Sequence, residues 1–343
     1  YADNARYSFE HISHEQGLSQ LSIQALYNDK QGFIWAGTTD GLNRFDGYQF
    51  KVYKGNKDKL DSLSNNHILS ITQDSNETLW IGTQTGLNSF NKNTESFTRF
   101  LQDEKQSNSL SNNVVQVLTP DKLGNLWVGT QQGLNKFNGK DFVRFYHQSA
   151  GKSSLRNNIQ VIIEDSNNSL WLGTKGGLSY FDDKAKLLKP VTLDIKVPSI
   201  TSIIERDANT LWLGTEKGLY LYHKQKGLLT EHSILINELA DSHISSFVQR
   251  NNNDLWITTK NNGVYLYTVS SEIFQKIQAK NQGESRFVNQ DLRTMITDKS
   301  GDLWIGTYVN GIEKIDLSRG QFNHSEPDAT KGVAVIRSLE YGD

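Results

Sequence analysis

The stretch "NLWVGTQQGLNKF", Asn125–Phe137, sets a Trp beside Gly-Thr and then Gly-Leu, a composition that suits a pocket. Whether it is chemistry or architecture depends on what else in the chain looks like it. All six other Trp residues stand in the same setting: "FIWAGTTDGLNRF" (33–45), "TLWIGTQTGLNSF" (78–90), "SLWLGTKGGLSYF" (169–181), "TLWLGTEKGLYLY" (210–222), "DLWITTKNNGVYLY" (254–267) and "DLWIGTYVNGIEKI" (302–315). The residues Trp35, Trp80, Trp127, Trp171, Trp212, Trp256 and Trp304 are spaced by 45, 47, 44, 41, 44 and 48 positions. The stretch is one copy of seven.

Each copy reads as four strands. Segments such as "HILSITQD" (67–74) and "NVVQVLTPD" (113–121) are β-branched and alternating, which suits a first strand. Turns follow in "DKQGF", "DKLGN" and "DKSGD", where Asp can bond the backbone ahead of it and Gly tolerates positive φ. "LWVGT" is the second strand, and Gly133 turns a hairpin into the third, "GLNKF". Aromatic fourth strands close the units: "YQFKVYK" (48–54), "SFTRFLQ" (96–102) and "DFVRFYH" (141–147). No segment sustains a helical period. Four-stranded units of this length repeated seven times predict an all-β, seven-bladed β-propeller. In such blades both faces are covered, so Leu126 and Val128 should meet one neighbour and Trp127 the other, with Gly129 giving clearance toward the axis.

The composition narrows the function classes. The chain has 343 residues and a formal charge of -2, and no basic run supplies an electrostatic drive toward nucleic acid. It lacks cysteine, which excludes disulfides, thiolate metal sites and a Cys nucleophile. No run approaches the roughly 18 apolar residues of a membrane helix, so no membrane contact by this chain is expected.

The ends continue the pattern. "YSFEHIS", Tyr7–Ser13, matches a fourth strand and predicts that the N-terminus completes the last blade, since an open ring would leave exposed edges. "GVAVIRSLEYGD", residues 332–343, matches a further first strand and its turn, which suggests a chain cut from a longer protein. The domain expected is one propeller over residues 1–343.

The repeated D-x-x-G-x-L-W-I-G-T-x-x-G-L, preceded by "SLSNNHI" (62–68) or "SLSNNVV" (109–115), resembles the two-component regulator propeller repeat. That resemblance implies a periplasmic sensor domain of a bacterial transmembrane receptor, whose output is a hybrid histidine kinase or a diguanylate cyclase outside this chain. It also implies that a second propeller commonly follows. Two copies depart from the pattern. The sixth has Thr258 in place of Gly, and the sixth and seventh have three residues between Thr and Gly. Both changes are expected in the connecting loop, on one side of the mouth.

Motifs for chemistry are sparse. His11 and His14 lack the further ligands zinc would need, and "DKSGDLW" lacks the ligand series of a calcium loop. No metal or cofactor is expected. Asp29, Asp74, Asp121, Asp165 and Asp298 read as turn residues, the seven Trp as core, and Gly37, Gly82, Gly129, Gly173, Gly214 and Gly306 as clearance.

What remains is the loops of one face. Asn65, Asn66, Asn112, Asn113, Asn157 and Asn158 precede first strands, where their amides either make the turn or meet an uncharged polyhydroxylated ligand such as a carbohydrate. The residue after each Gly-Thr varies while its flanks repeat: Thr39, Gln84, Gln131, Lys175, Glu216, Lys260 and Tyr308. The fold does not dictate this position, so it is free for a ligand or merely solvated. Three readings stand. A sensory module would bind a small polar ligand and signal through neighbouring domains of the same receptor. An enzyme, a lyase or glycoside hydrolase, would draw on Asp40, Glu216, His67 or His243. A protein-interaction propeller would bind no small molecule.

Overall fold

The computed structural model describes residues 7–317 except 148–150, 152–153, 194–198, 231–238, 251–253, 278–279, 282–283 and 286–290. Seven four-stranded antiparallel sheets follow one another along the chain. Blade 3 shows the plan: Val115–Pro120, Leu126–Thr130, Gly133–Phe137 and Phe142–Phe145 pair in sequence order. The first strands of successive blades contact one another in a ring, and the ring closes between the seventh (Leu292–Thr297) and the first (Ile23–Asn28). They therefore surround the axis. The N-terminal strand Ser8–Ile12 pairs with Ile312–Asp316 as the fourth strand of blade 7, from Ser8 opposite Asp316 to Ile12 opposite Ile312. The suggested further repeat at 332–343 lies outside the described residues.

The second strand is buried at every position in blade 3 because it has a neighbour on both faces. Leu126 and Val128 pack in a cluster with Trp80 of blade 2, whereas Trp127 packs with Ile159, Ile162 and Leu172 of blade 4. The alternation expected from the sequence is observed.

The turn aspartates do more than form turns. Asp74 Oδ1 accepts from Thr78 N at 2.9 Å, while its Oδ2 accepts from Trp80 Nε1 at 2.8 Å. Asp29, Asp121, Asp165 and Asp298 likewise bind Trp35, Trp127, Trp171 and Trp304. One carboxylate thus satisfies both the tight turn and the buried indole, which would otherwise lack an acceptor. Blades 5 and 6 carry Arg206 and Arg250 at that position instead, and Arg206 stacks over the Trp212 ring at 5.5 Å.

Thr258 corrects the sequence reading. It lies inside the second strand of blade 6 (Asp254–Thr259), fully buried, and not in the connecting loop. Its equivalents are glycines for a steric reason. A Cβ on Gly129 would lie 2.8 Å from Ile159 Cγ2 on the next blade. At Gly37, Gly82, Gly173, Gly214 and Gly306 the opposing residue is Ile68, Val115, Ile200, Ile244 and Ile23, each β-branched. Blade 7 has Leu292 at that place, opposite Thr307 in the register where Ile23 faces Thr38. Leucine branches one carbon later, which vacates the space that Thr258 fills. Leu292→Ile should therefore overpack this seam and cost about 1–3 kcal/mol. In a Thr258→Gly background the same change should cost little. Urea unfolding of the four variants of this cycle measures the coupling, and equal costs in both backgrounds would refute the pairing.

Candidate functional site

The loops between second and third strands and those entering first strands lie on one face in a ring around the axis, as expected, and among the described residues backbone bonds join four neighbouring pairs. Gly41 N donates to Asn66 O, Gly86 N to Asn113 O, Gly218 N to Ser242 O and Gly311 N to Leu21 O, each from one blade to the next. The varying residues sit on this ring. Gln84, Gln131, Lys175, Glu216, Lys260 and Tyr308 each donate a backbone N–H to the residue just before their own blade's first strand: His67, Val114, Asn158, Ser199, His243 and Asp291. Gln84, Gln131, Lys175, Glu216 and Tyr308 are exposed, and Thr39 and Lys260 are half-buried.

The geometry of the loop explains the constancy of its flanks. Thr130 Oγ1 is fully buried, donates to Gly133 O at 2.9 Å and accepts from Gln132 N at 3.2 Å. Gly133 adopts φ 123, a left-handed conformation that favours glycine. The residue between Thr130 and Gln132 has no role in this closure, so its side chain is free to vary. In blades 6 and 7 the extra residue lengthens the same closure, with Thr259 Oγ1 reaching Gly263 O and Thr307 Oγ1 reaching Gly311 O.

The asparagines divide differently from the sequence reading. Asn66 Oδ1 accepts from Gly55 N and Asn113 Oδ1 from Gln102 N, both at 2.7 Å, while Asn65 and Asn112 cap the backbone two residues ahead. These oxygens hold the turn. In blade 4 the same bond is made by Asn157, from His147 N at 2.9 Å. Asn158 therefore does not share the place of Asn66 and Asn113. The Leu of blade 4 is offset by one residue: Leu155 is 60% exposed where Leu63 and Leu110 are buried, and Asn158 lies at the level of His67 and Val114.

One feature of the mouth had no sequence signal. Every first strand carries a β-bulge at its second residue, and the residues it displaces are Gln24, Leu69, Gln116, Gln160, Thr201, Ser245 and Arg293. Gln160 Nε2 donates to Gln116 Oε1 of the preceding blade at 3.1 Å. Blades 3 and 4 thus line the mouth with amides.

A charged cluster lies on blades 5 to 7, apart from Lys175 of blade 4. Arg293 Nη2 pairs with Asp291 Oδ2 at 2.7 Å, and its guanidinium lies 4.4 Å from the Tyr308 ring centroid. Burial, then the charges of Lys260 and Arg293, pushes His243 down to about 4, so its ring is neutral at pH 7. Burial and Arg293 also lower Lys260, against the opposing pull of Asp291 and Glu216.

Asp40 and His67 lie on loops of the same face, in blades 1 and 2, and His11 and His14 on the N-terminal segment. Asp40 forms an ion pair with Lys54 at 2.6 Å and receives Asn66 Nδ2 at 3.3 Å. His67 is half-buried, and that burial lowers its pKa. His11 Nδ1 meets Glu313 Oε1, and His14 Nδ1 meets Leu18 O, so the two rings part. Among the described residues no three His, Asp or Glu side chains are placed to hold a metal ion, and no helix is long and apolar enough to cross a membrane.

Comparison with known proteins places this architecture. Four segments, 17–40, 62–85, 109–132 and 153–176, match the two component regulator propeller family. A histidine kinase of Formosa agariphila is 43% identical over 63 residues, which is 18% of this chain and 5% of the kinase. The extracellular domain of a hybrid two-component system from B. thetaiotaomicron superposes with TM-score 0.78 at 28% identity, over 90% of this chain and 42% of that one. The chain thus spans less than half the length of these relatives. Virginiamycin B lyase of Staphylococcus aureus shares the fold alone, with TM-score 0.69 and 12% identity over 91% of this chain and 100% of the lyase.

Proposed function

We propose that this chain, which carries the repeats of the two component regulator propeller, is the extracytoplasmic ligand-binding sensor domain of a bacterial transmembrane receptor. The output would be a histidine kinase or a diguanylate cyclase outside this chain. One observation carries the reading: the closing Thr and Gly of this loop recur in every blade, while the residue after the Thr varies. Thr39, Gln84, Gln131, Lys175, Glu216, Lys260 and Tyr308 form one ring, with Asn158 and the bulge residues beside it. Asn66 and Asn113 would hold these loops. Similarity to the extracellular domain of a hybrid two-component system supports both the sensor role and the location. Ligand would bind on loops held by a rigid ring, and relay to neighbouring receptor domains requires it to favour one arrangement over another.

A thermal-shift screen with small polar compounds tests the reading. A specific ligand at 100 times its Kd should add about 2.7 kcal/mol of stability and raise Tm by several degrees. Substituting Gln131 and Lys175 by Ala should weaken that shift without lowering the Tm of the free protein by more than a degree or two. Unchanged Tm with every small compound, together with binding to an adjacent receptor domain, would replace the sensor by a protein-interaction propeller.

A further inference from the structure

The seven blades do not contribute equally to the mouth. Blades 1 to 3 offer hydroxyl and amide groups after the Gly-Thr, whereas blades 4 to 7 offer Lys175, Glu216, Lys260 and Tyr308. Among the described residues, two unmet polar atoms belong to one ion pair of blade 7, beside blade 6. Arg293 Nε and Asp291 Oδ1 are both buried without a hydrogen-bond partner, although Nη2 and Oδ2 of the same two side chains bond each other at 2.7 Å. One orphan is a donor and the other an acceptor, and both belong to one fixed ion pair. Lys260 Nζ, on the adjoining blade, forms no hydrogen bond or ion pair with any described residue. Buried polar groups left unpaired destabilise the free protein. A site with an unmet donor, an unmet acceptor and a free ammonium is complementary to a ligand that supplies the opposite set.

We propose that this sector, resting on the sensor reading above, binds a small carboxylate that bears a hydrogen-bond donor on its α-carbon. The carboxylate accepts from Arg293 and from Lys260 Nζ, and the α-substituent donates to Asp291. The Asp291–Arg293 pair pre-orients the guanidinium, which favours bidentate contact with a planar anion. Tyr308 is 43% exposed and stacks on that guanidinium. Its ring is the cover that a bound ligand displaces. Glu216, exposed on blade 5, repels a second carboxylate and selects ligands that carry only one. Two sources share this chemistry, α-hydroxy acids and α-amino acids, the donor being a hydroxyl or an ammonium. The amides of Gln116, Gln131 and Gln160 across the mouth would meet the remainder of the molecule.

The test uses the full chain and isothermal titration with gluconate, L-glutamine, sorbitol and propionate. Binding of gluconate or glutamine is expected, at least tenfold tighter than sorbitol, which lacks the carboxylate, and propionate, which lacks the donor. Whichever of the two binds identifies the source. Lys260→Gln and Arg293→Gln should each weaken binding about 10- to 100-fold, while Lys184→Gln, on an exposed hairpin turn, should not. Lys260→Gln keeps the test decisive if the arginine variant folds poorly. Equal binding of sorbitol and gluconate, or binding unaffected by Lys260→Gln, overturns the carboxylate site and leaves the sensor reading standing. No binding by gluconate or glutamine also overturns it. The sensor reading itself fails only if neutral and charged compounds alike leave Tm unchanged.

Discussion

Asp165→Ala should destabilise the protein far more than Asp74→Ala, although the two residues hold equivalent turns and equivalent indoles. Both carboxylates accept from the backbone four residues ahead and from a Trp Nε1 at 2.8 Å. Only Asp165, itself 1% exposed, also pairs with Lys224 Nζ, at 2.7 Å. That lysine reaches from blade 5 and binds Glu205 Oε1 at 2.7 Å, with its side chain 9% exposed. Removing Asp165 leaves a nearly buried ammonium with one partner instead of two. Breaking a buried pair in this way costs about 3–5 kcal/mol, against about 1–3 kcal/mol for the orphaned donors at Asp74. Burial raises the Asp165 pKa, but Lys224 and the hydrogen bonds from Ser169 and Trp171 outweigh it and hold the group below the ordinary carboxylate range. Its contribution is therefore full at neutral pH and is lost as pH falls through that lowered value. Lys224→Met in the Asp165→Ala chain should recover much of the loss by removing the stranded charge. Urea midpoints of the double-mutant cycle decide the matter. Equal losses for the two Asp→Ala variants, or no recovery with Lys224→Met, would show that the ion pair adds nothing.

The sequence made legible whatever the fold needs in every blade. Trp127, its flanking Leu126 and Val128, the closing strand Tyr7–Ser13 and the turn aspartates all recur, and recurrence separates architecture from accident. The Asp–Trp bond was also within reach, since Asp precedes Trp by six residues in five blades. Turn chemistry alone already accounts for the Asp, which hides the bond. Thr258 was misplaced because a lone departure from a repeat gives no sign of which neighbour has changed with it, and Leu292 lies 34 residues further on. Asn158 aligns by its letters with Asn66 and Asn113, and those identical letters conceal a one-residue offset. The bulge ring left no trace, since a bulge needs no particular residue and the displaced side chains run from Leu69 to Arg293. The candidate site was thus visible at its rim, through Gln131 and its equivalents, and invisible one layer deeper.

Deleting residues 1–13 should be more damaging than any single substitution. Blade 7 takes its fourth strand from the other end of the sequence, in five registered pairs from Ser8–Asp316 to Ile12–Ile312. Ile12 is 1% exposed and packs with Trp304, Ile23 and Ile312. Tyr7 meets the Trp256 ring edge-on at 5.8 Å and joins Phe9 on the core between blades 6 and 7. Without this strand, Ile312–Asp316 becomes an open edge with unpaired N–H and C=O groups beside exposed apolar surface. Ile12→Ala alone should cost about 2–5 kcal/mol as a buried large-to-small change. The deletion adds the loss of the Tyr7 and Phe9 contacts and of a strand's hydrogen bonds. Because each blade is supported by two neighbours, weakening one seam weakens the closed ring as a whole. The expected product unfolds at least 10 °C lower or associates through its open edge, as size-exclusion chromatography and thermal unfolding would show. A synthetic peptide of residues 7–17 should restore monomeric behaviour in part by strand addition. A truncated chain that stays monomeric and loses no more than about 1 kcal/mol, within the range of surface substitutions, would mean that the seven blades hold together without closure.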